Sequence, residues 1–387
     1  MTMSTVHNLP APDPIAKTHS DRLRRVIAAE IAEEGPISFA RYMQLALYAP
    51  GLGYYSAGSP KWGVEGDFIT AAHELFFSQC LARQCQQVLS QLGDDAVLLE
   101  LGAGSGEMAV TLLRALEEAK TLPAQYLILE LSADLRERQY RLFQTQAPHL
   151  LPRVQWLDTL AQKKMTGIIL ANEVMDAMPV HCFIWQQGIK ECYVDYVRDQ
   201  LCWSVGEPSQ ALLQAAARLN VTLEEGYISE IHGLLPAWIA TLSDVLQRGL
   251  ILLIDYGFPA REYYHPDRRM GTLMCHYRHR AHTDPFWYPG LQDITAHVNF
   301  TTVAEAAREH DLHIAGYTHQ AGFLLGCGIH TLLPDPSDTV SYYAATQQVK
   351  RLTLASEMGE LFKVVALTRD YGEDLLGFTL FNQVERL

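Results

Sequence analysis

Residues 97 to 106 read Val-Leu-Leu-Glu-Leu-Gly-Ala-Gly-Ser-Gly, an apolar run that ends in an acid and opens onto glycines at alternate positions. The run at 97–101 suits a buried strand. Gly102, Gly104 and Gly106 let the backbone turn sharply beside a ligand, and a helix restarts at Glu107. A dinucleotide fingerprint, G-x-G-x-x-G, places its third glycine one residue later, where this chain has Glu107, and turns the helix N-terminus toward a pyrophosphate. An acid there repels phosphate. It suits S-adenosylmethionine, whose amino group and sulfonium are cations and whose ribose hydroxyls are donors. Glu100, Gly102, Gly104 and Gly106 are therefore cofactor candidates, although another nucleotide or a plain tight turn shares the glycine pattern.

A doubly wound sheet places a second acid roughly 20 residues beyond the glycines, at a strand end, to hold the ribose. Glu130 stands there, after the apolar run 126–129 and before Ser132, an N-cap for a helix running to Gln144. A third strand at 154–156 leads to Asp158, placed to accept from the adenine amino group; both acids also read as solvated loop residues or helix caps. The fourth unit, 167–180, ends its strand in Asn172-Glu173 and continues to Asp176 and Pro179. Ligands in such sheets lie beyond the carboxyl ends of the strands, so these residues face the transferable methyl group. Asn172 offers a carbonyl to an amine donor, and Glu173 and Asp176 can pair with a cationic nitrogen. The alternative is a capped helix start with turn punctuation.

Further candidates lie outside this half. Tyr54 and Tyr55 sit in an aromatic, glycine-rich stretch, 48–66, that is read as a lid, with ordinary loop packing as the alternative. Asp67 and Thr70 follow as cofactor candidates, and Asp255-Tyr256 ends an apolar strand at 250–254 on the ligand side, where Tyr256 can line an acceptor pocket. His297 can take or hold a proton near neutral pH, or can be a satisfied core histidine. Cys275, His276, His279 and His282 suggest zinc, but Arg278 and Arg280 interrupt them and no C-x-x-C or H-E-x-x-H pair exists, so no metal is expected.

Several of these segments recur together in one family. The chain resembles the MidA-like methyltransferases through Glu100 to Gly106, Glu130-Leu131-Ser132, Gly53-Tyr54-Tyr55, Gly66-Asp67-Phe68-Ile69-Thr70, Asn172-Glu173 with Asp176-Ala177-Met178-Pro179, and Ile254-Asp255-Tyr256-Gly257. Gly271-Thr272-Leu273, the run from Gln292 to Val298, and the run from Met358 to Lys363 extend the match. The chain departs at Ala71-Ala72-His73-Glu74, where the family usually carries a proline before the glutamate. The resemblance implies a class I S-adenosylmethionine-dependent methyltransferase, a Rossmann-like seven-stranded α/β sheet with an N-terminal helical lid and an inserted substrate lobe. It also implies a protein arginine as acceptor, since the family's mitochondrial member assembles respiratory complex I and methylates an arginine, so a complex I subunit is an expected partner. A different protein or small-molecule acceptor, or a noncatalytic assembly chaperone that binds the cofactor, would keep the same cofactor half.

The elements that must position these residues read as follows: a flexible tail over 1–20, a helical lid region over 21–90, the cofactor half of the core over 91–180, a β-meander lobe over 181–233, and the rest of the core over 234–387 with a long substrate loop at 258–292. With 387 residues, 48% of them apolar, the chain can bury a large core. Its net charge of −14 argues against nonspecific binding to nucleic acid or anionic membrane and suits a cationic partner. The apolar runs are strand length, so no membrane insertion is expected. Lys17 is the only Lys or Arg among the first 20 residues, which fits neither a secretory nor a transit leader. Seven cysteines without a C-x-x-C pair read as reduced thiols, and a bacterial cytoplasm fits. The oligomeric state is not specified, and a homodimer stays open.

Overall fold

A computed structural model of the chain describes residues 9–57, 75–160 and 163–387. They divide into two compact units that alternate along the chain: one takes 69–174, 237–257 and 300–387, the other 1–68, 175–236 and 258–299.

The first unit is the sheet that carries the glycine turn. Its strands β1 (Val97–Leu101), β2 (Tyr126–Leu129), β3 (Val154–Leu157), β4 (Met165–Asn172), β5 (Leu246–Phe258), β6 (His313–His319) and β7 (Phe362–Arg369) lie in the order β3-β2-β1-β4-β5-β7-β6. Pairing is parallel from β3 through β5. It turns antiparallel at β7, which pairs with both β5 and β6. The helices Glu107–Glu118 and Ala133–Gln146 connect β1 to β2 and β2 to β3, the crossover that parallel pairing calls for, and Leu235–Val245 leads into β5. Leu98, Ile128, Ile168, Leu170, Leu250 and Leu252 form one core face with the helices Leu75–Leu92 and Glu107–Glu118. Ile169, Ile251, Leu253 and Val365 between them are also fully buried, so both faces are covered. This explains the unbroken apolar runs in β4 and β5, which are not alternating patterns.

The central strands approach one another without side chains at one row. Gly167 of β4 lies in register between Val97 and Gly249. A Cβ on Gly167 would stand 1.9 Å from the Val97 carbonyl oxygen, and one on Gly249 equally close to that of Gly167.

The second unit gathers three segments that the sequence reading keeps apart. Its five-stranded sheet runs Ile37–Ser38, Ile189–Val197, His181–Trp185, Ile228–Ile231, with Gln200–Gly206 on the Ile189–Val197 strand, all antiparallel. His181–Trp185, Ile189–Val197 and Gln200–Gly206 follow one another as antiparallel neighbours, and Ile37–Ser38 from the N-terminal segment pairs with the middle one. Helix Leu75–Leu92, assigned by sequence to the lid region, belongs to the first unit.

Two expectations are corrected here. The tail does not stay irregular to residue 20: a helix spans Pro14–Glu34, because the Asp13 carboxylate caps the Ile15 and Ala16 amides at 2.9 Å and Pro14 fits the first turn. Nor is 258–292 a loop without structure. It contains a short helix, Ala260–Tyr263, and a hairpin, Met274–Tyr277 with Arg280–His282, which pairs with Asp293–Thr295. The buried Glu230 carboxylate organises this segment by accepting from the Thr272 and Leu273 amides and the Thr272 hydroxyl. Strands of three or four residues leave too little alternation to be read in sequence. Among the described residues no helix is long and apolar enough to cross a membrane.

The close approach at Gly167 makes a direct prediction. Gly167→Ala should destabilise the protein by about 3 kcal/mol or more through backbone displacement. Urea unfolding should show a lowered midpoint at constant m-value; an unchanged midpoint would mean that β1 and β4 are not this close.

Candidate functional site

The carboxyl ends of β1, β2, β4 and β5 bring most of the sequence candidates to one edge of the first unit. Gly102, Gly104 and Gly106 follow β1 with φ of +68°, +52° and +84°, values that side chains other than glycine resist. The Gly102 amide donates to the Leu129 carbonyl at 2.9 Å, which ties the turn to β2. Among the described residues no atom lies within 4 Å of a Cβ built on Gly104, which leaves its backbone room to meet a ligand.

Glu100 is fully buried beneath this turn. The Tyr126 hydroxyl donates to its Oε2 at 2.6 Å. Its Oε1 is buried with no hydrogen-bond partner among the described residues. Burial pushes the carboxyl up from 4.5 to about 7; the Tyr126 hydrogen bond opposes the rise, and the neighbouring Glu130 adds to it. Such an orphaned, dehydrated acceptor fits a cationic or hydrogen-bond-donating ligand.

Glu130 stands one residue past β2 and is also buried. Burial raises its pKa, opposed by hydrogen bonds from the Ser132 amide and from Gln139. Ser132 caps the helix Ala133–Gln146, as its position in the sequence suggests. Gln139, on that helix, is a residue the sequence reading missed. It is fully buried, and its Nε2 donates to the Gly104 carbonyl at 2.9 Å and to Glu130 Oε2 at 3.3 Å, while its Oε1 accepts from Trp156 Nε1 at 2.8 Å. One amide thus locks the glycine turn, the β2 acid and β3 together. Its only sequence signal is a polar residue on the buried face of an otherwise exposed helix. Arg136, one turn earlier, was also missed: it donates to the Glu130 carbonyl and pairs with Asp158 at 2.6 Å. The Asp158 side chain is otherwise exposed, 91% by area.

β4 ends in Asn172, whose Nδ2 donates to Glu173 Oε1 at 3.1 Å and whose Oδ1 is buried without a partner among the described residues. Glu173 turns the chain with φ of +53°, a left-handed conformation that costs a residue with a Cβ about 1 kcal/mol or more. Its amide donates to the Ile254 carbonyl of β5 at 2.9 Å. The Tyr256 hydroxyl donates to Glu173 Oε2 at 3.3 Å, and the Tyr256 ring lies 4.1 Å from that of Phe362 on β7. Asp255 is fully buried, opposite Lys363 in the β5–β7 register, and accepts from the Tyr256 amide at 2.8 Å.

The remaining candidates fall elsewhere. Asp67 and Thr70, with Glu74 and the 58–66 part of the expected lid, lie outside the described residues. Asp176, Tyr54, Tyr55 and His297 belong to the second unit. There Tyr54 is a core residue, 2% exposed, Tyr55 donates to Asp293 Oδ1 at 2.9 Å, the Asp176 carbonyl accepts from the Ala296 amide, and the His297 amide donates to the Thr272 hydroxyl. Cys275 and His282 are cross-strand neighbours in the hairpin. Among the described residues no three His, Cys, Asp or Glu side chains gather into a metal-binding group.

The strand order and the glycine turn define the fold of the class I methyltransferases that use S-adenosylmethionine. A family model described as "Putative S-adenosyl-L-methionine-dependent methyltransferase" matches residues 80–318, more than half of the chain, and the chain belongs to this family, the MidA-like methyltransferases. A solved structure from Burkholderia thailandensis, bound to S-adenosyl-homocysteine, is 43% identical with a TM-score of 0.94 and covers 98% of this chain and 100% of its own. A native structure from the same organism is 42% identical with a TM-score of 0.92. The Danio rerio mitochondrial protein arginine methyltransferase NDUFAF7 is 28% identical over 341 residues, 78% of this chain and 76% of that protein. The Drosophila melanogaster homolog is 26% identical over 354 residues, 81% and 77% of the two chains. This chain is an S-adenosylmethionine-dependent methyltransferase, and S-adenosylmethionine is its cofactor. The open Gly104 backbone and the orphaned Glu100 and Asn172 oxygens fit that cofactor.

Two outcomes test this geometry. Because the fold favours the neutral form of Glu100, its stabilisation is complete below about pH 4.5 and is lost as pH rises through about 7. Glu100→Gln should therefore gain on the unaltered, ligand-free protein by on the order of 3 kcal/mol between pH 4.5 and 8. A pH-independent difference in urea unfolding would show that this carboxyl titrates normally. Gln139→Leu keeps the volume but strips three partners, so calorimetry should show S-adenosyl-homocysteine binding about tenfold weaker or worse; unchanged affinity in the folded variant would remove Gln139 from the site.

Proposed function

We propose that the protein methylates an arginine side chain of a protein acceptor and that Glu173 receives the guanidinium. The observation that carries this reading is the Glu173 carboxylate itself, set at the end of β4 on a left-handed residue and held through both oxygens by Asn172 and Tyr256. The arginine methyltransferase names of the Danio and Drosophila relatives support it.

The bound cofactor supplies a methyl group on a sulfonium. The chain supplies position and charge. Arginine arrives protonated, because its pKa lies above about 12. An ionised carboxylate can pair with such a planar cation side-on, through two parallel hydrogen bonds, which orients one nitrogen for in-line attack. The nitrogen that gains the methyl must lose a proton, and the same carboxylate is placed to accept it. Alignment of this kind can lower a barrier by roughly 7 to 11 kcal/mol. Glu100, Glu130 and the glycine turn hold the methyl donor in this reading, with Asp158 at the adenine end. Asp176 and His297 sit in the second unit, and this reading assigns them no role in the transfer. A respiratory complex I subunit is the first protein to try as acceptor, on the strength of the family resemblance.

The experiment is methyl transfer from labelled S-adenosylmethionine to arginine peptides and to the same peptides with lysine in place of arginine. Label should enter the arginine peptides alone. Glu173→Gln should lower turnover at least a hundredfold while S-adenosyl-homocysteine affinity stays within about threefold. Equal labelling of lysine peptides, or loss of cofactor binding in the variant, would move Glu173 out of this role.

A further inference from the structure

We infer that Tyr256 is a positioning residue for the Glu173 carboxylate. A glutamate's terminal torsion is broad, so its carboxylate plane is normally free to turn. Here the plane is fixed from two sides. The Asn172 amide donates to Oε1 at 3.1 Å from within β4, and the Tyr256 hydroxyl donates to Oε2 at 3.3 Å from the end of β5. Each donor is itself held. Asn172 is the last residue of β4 and is buried. Tyr256 pairs in register with Phe362 of β7, its ring lies 4.1 Å from that phenyl group at 36°, and its amide donates to the buried Asp255 carboxylate. The Glu173 backbone is pinned by its own amide to the Ile254 carbonyl, two residues before Tyr256. Backbone and carboxylate of Glu173 are thus both referred to β5.

A carboxylate whose plane is set before the acceptor arrives can meet a planar guanidinium side-on with no ordering left to do, and bidentate pairing is sensitive to that plane. Tyr256 in this account touches neither cofactor nor acceptor; it acts through Glu173. Phe362 acts one step further away, by fixing the phenol ring. The inference depends on the arginine reading for the identity of the acceptor but not for the geometry of the carboxylate.

Tyr256→Phe removes the hydroxyl and keeps the ring stack, so folding should be preserved. In a crystal structure of this variant with S-adenosyl-homocysteine, the Glu173 carboxylate should be rotated or spread over more than one orientation. A single carboxylate orientation identical to that of the unaltered protein overturns the inference, whatever the acceptor proves to be. On an arginine peptide, turnover should fall 10- to 100-fold with S-adenosyl-homocysteine affinity unchanged. Adding Tyr256→Phe to Glu173→Gln should cost less than a further twofold, because the group it positions is already gone. A full second loss in the double variant would mean that Tyr256 acts on its own and would equally overturn the inference. If the unaltered protein transfers no methyl to any arginine peptide, the arginine reading fails, and the crystal structure alone decides the role of Tyr256.

Discussion

Parallel pairing through β3, β2, β1, β4 and β5 is the constraint on which the rest depends. Parallel strands all finish on the same edge, so whatever residue follows each apolar run is delivered to one line. Glu100, Glu130 and Asn172 each stand at or beside a strand end, and the parallel register brings them to one edge of the sheet. The price is electrostatic. Glu100 and Glu130 are both buried, and Glu130 adds to the cost of charging Glu100. A cationic ligand relieves that cost, whereas a phosphate would deepen it. Two buried acids side by side therefore favour a cationic ligand over an anionic one.

Much of this was legible in the sequence because buried parallel strands read as unbroken apolar runs followed abruptly by an acid. The glycine turn, the β2 acid and the Asn172-Glu173 step needed only local spacing. Gln139, Trp156 and Arg136 did not announce themselves. The partners of Gln139 lie 9 to 35 residues away in the chain, and a polar residue on the buried face of a helix does not by itself say which elements it joins. The positions of Asp67 and Thr70 lie outside the described residues.

The second unit was harder to read for a different reason. It is assembled from three stretches of chain, and several of its strands have only two to four residues. Long-range pairing such as Ile37 with Val194 leaves no mark in either segment alone. The Pro14–Glu34 helix is instructive in the opposite sense: its signal, Asp13 before Pro14, was present, but Pro10, Pro12 and Pro14 together suggested disorder. Prolines that break a helix in its interior are compatible with one that begins at the last of them.

The left-handed backbone at Glu173 sets stability against chemistry at a single position. Glycine adopts φ near +53° without the steric conflict that a Cβ brings. A selection for thermal resistance alone would thus favour replacing this glutamate, and a library ranked by melting temperature would enrich for chains that had discarded their strand-end carboxylate. Improved heat tolerance combined with lost turnover at this codon would be the signature of a residue retained against its own conformational preference.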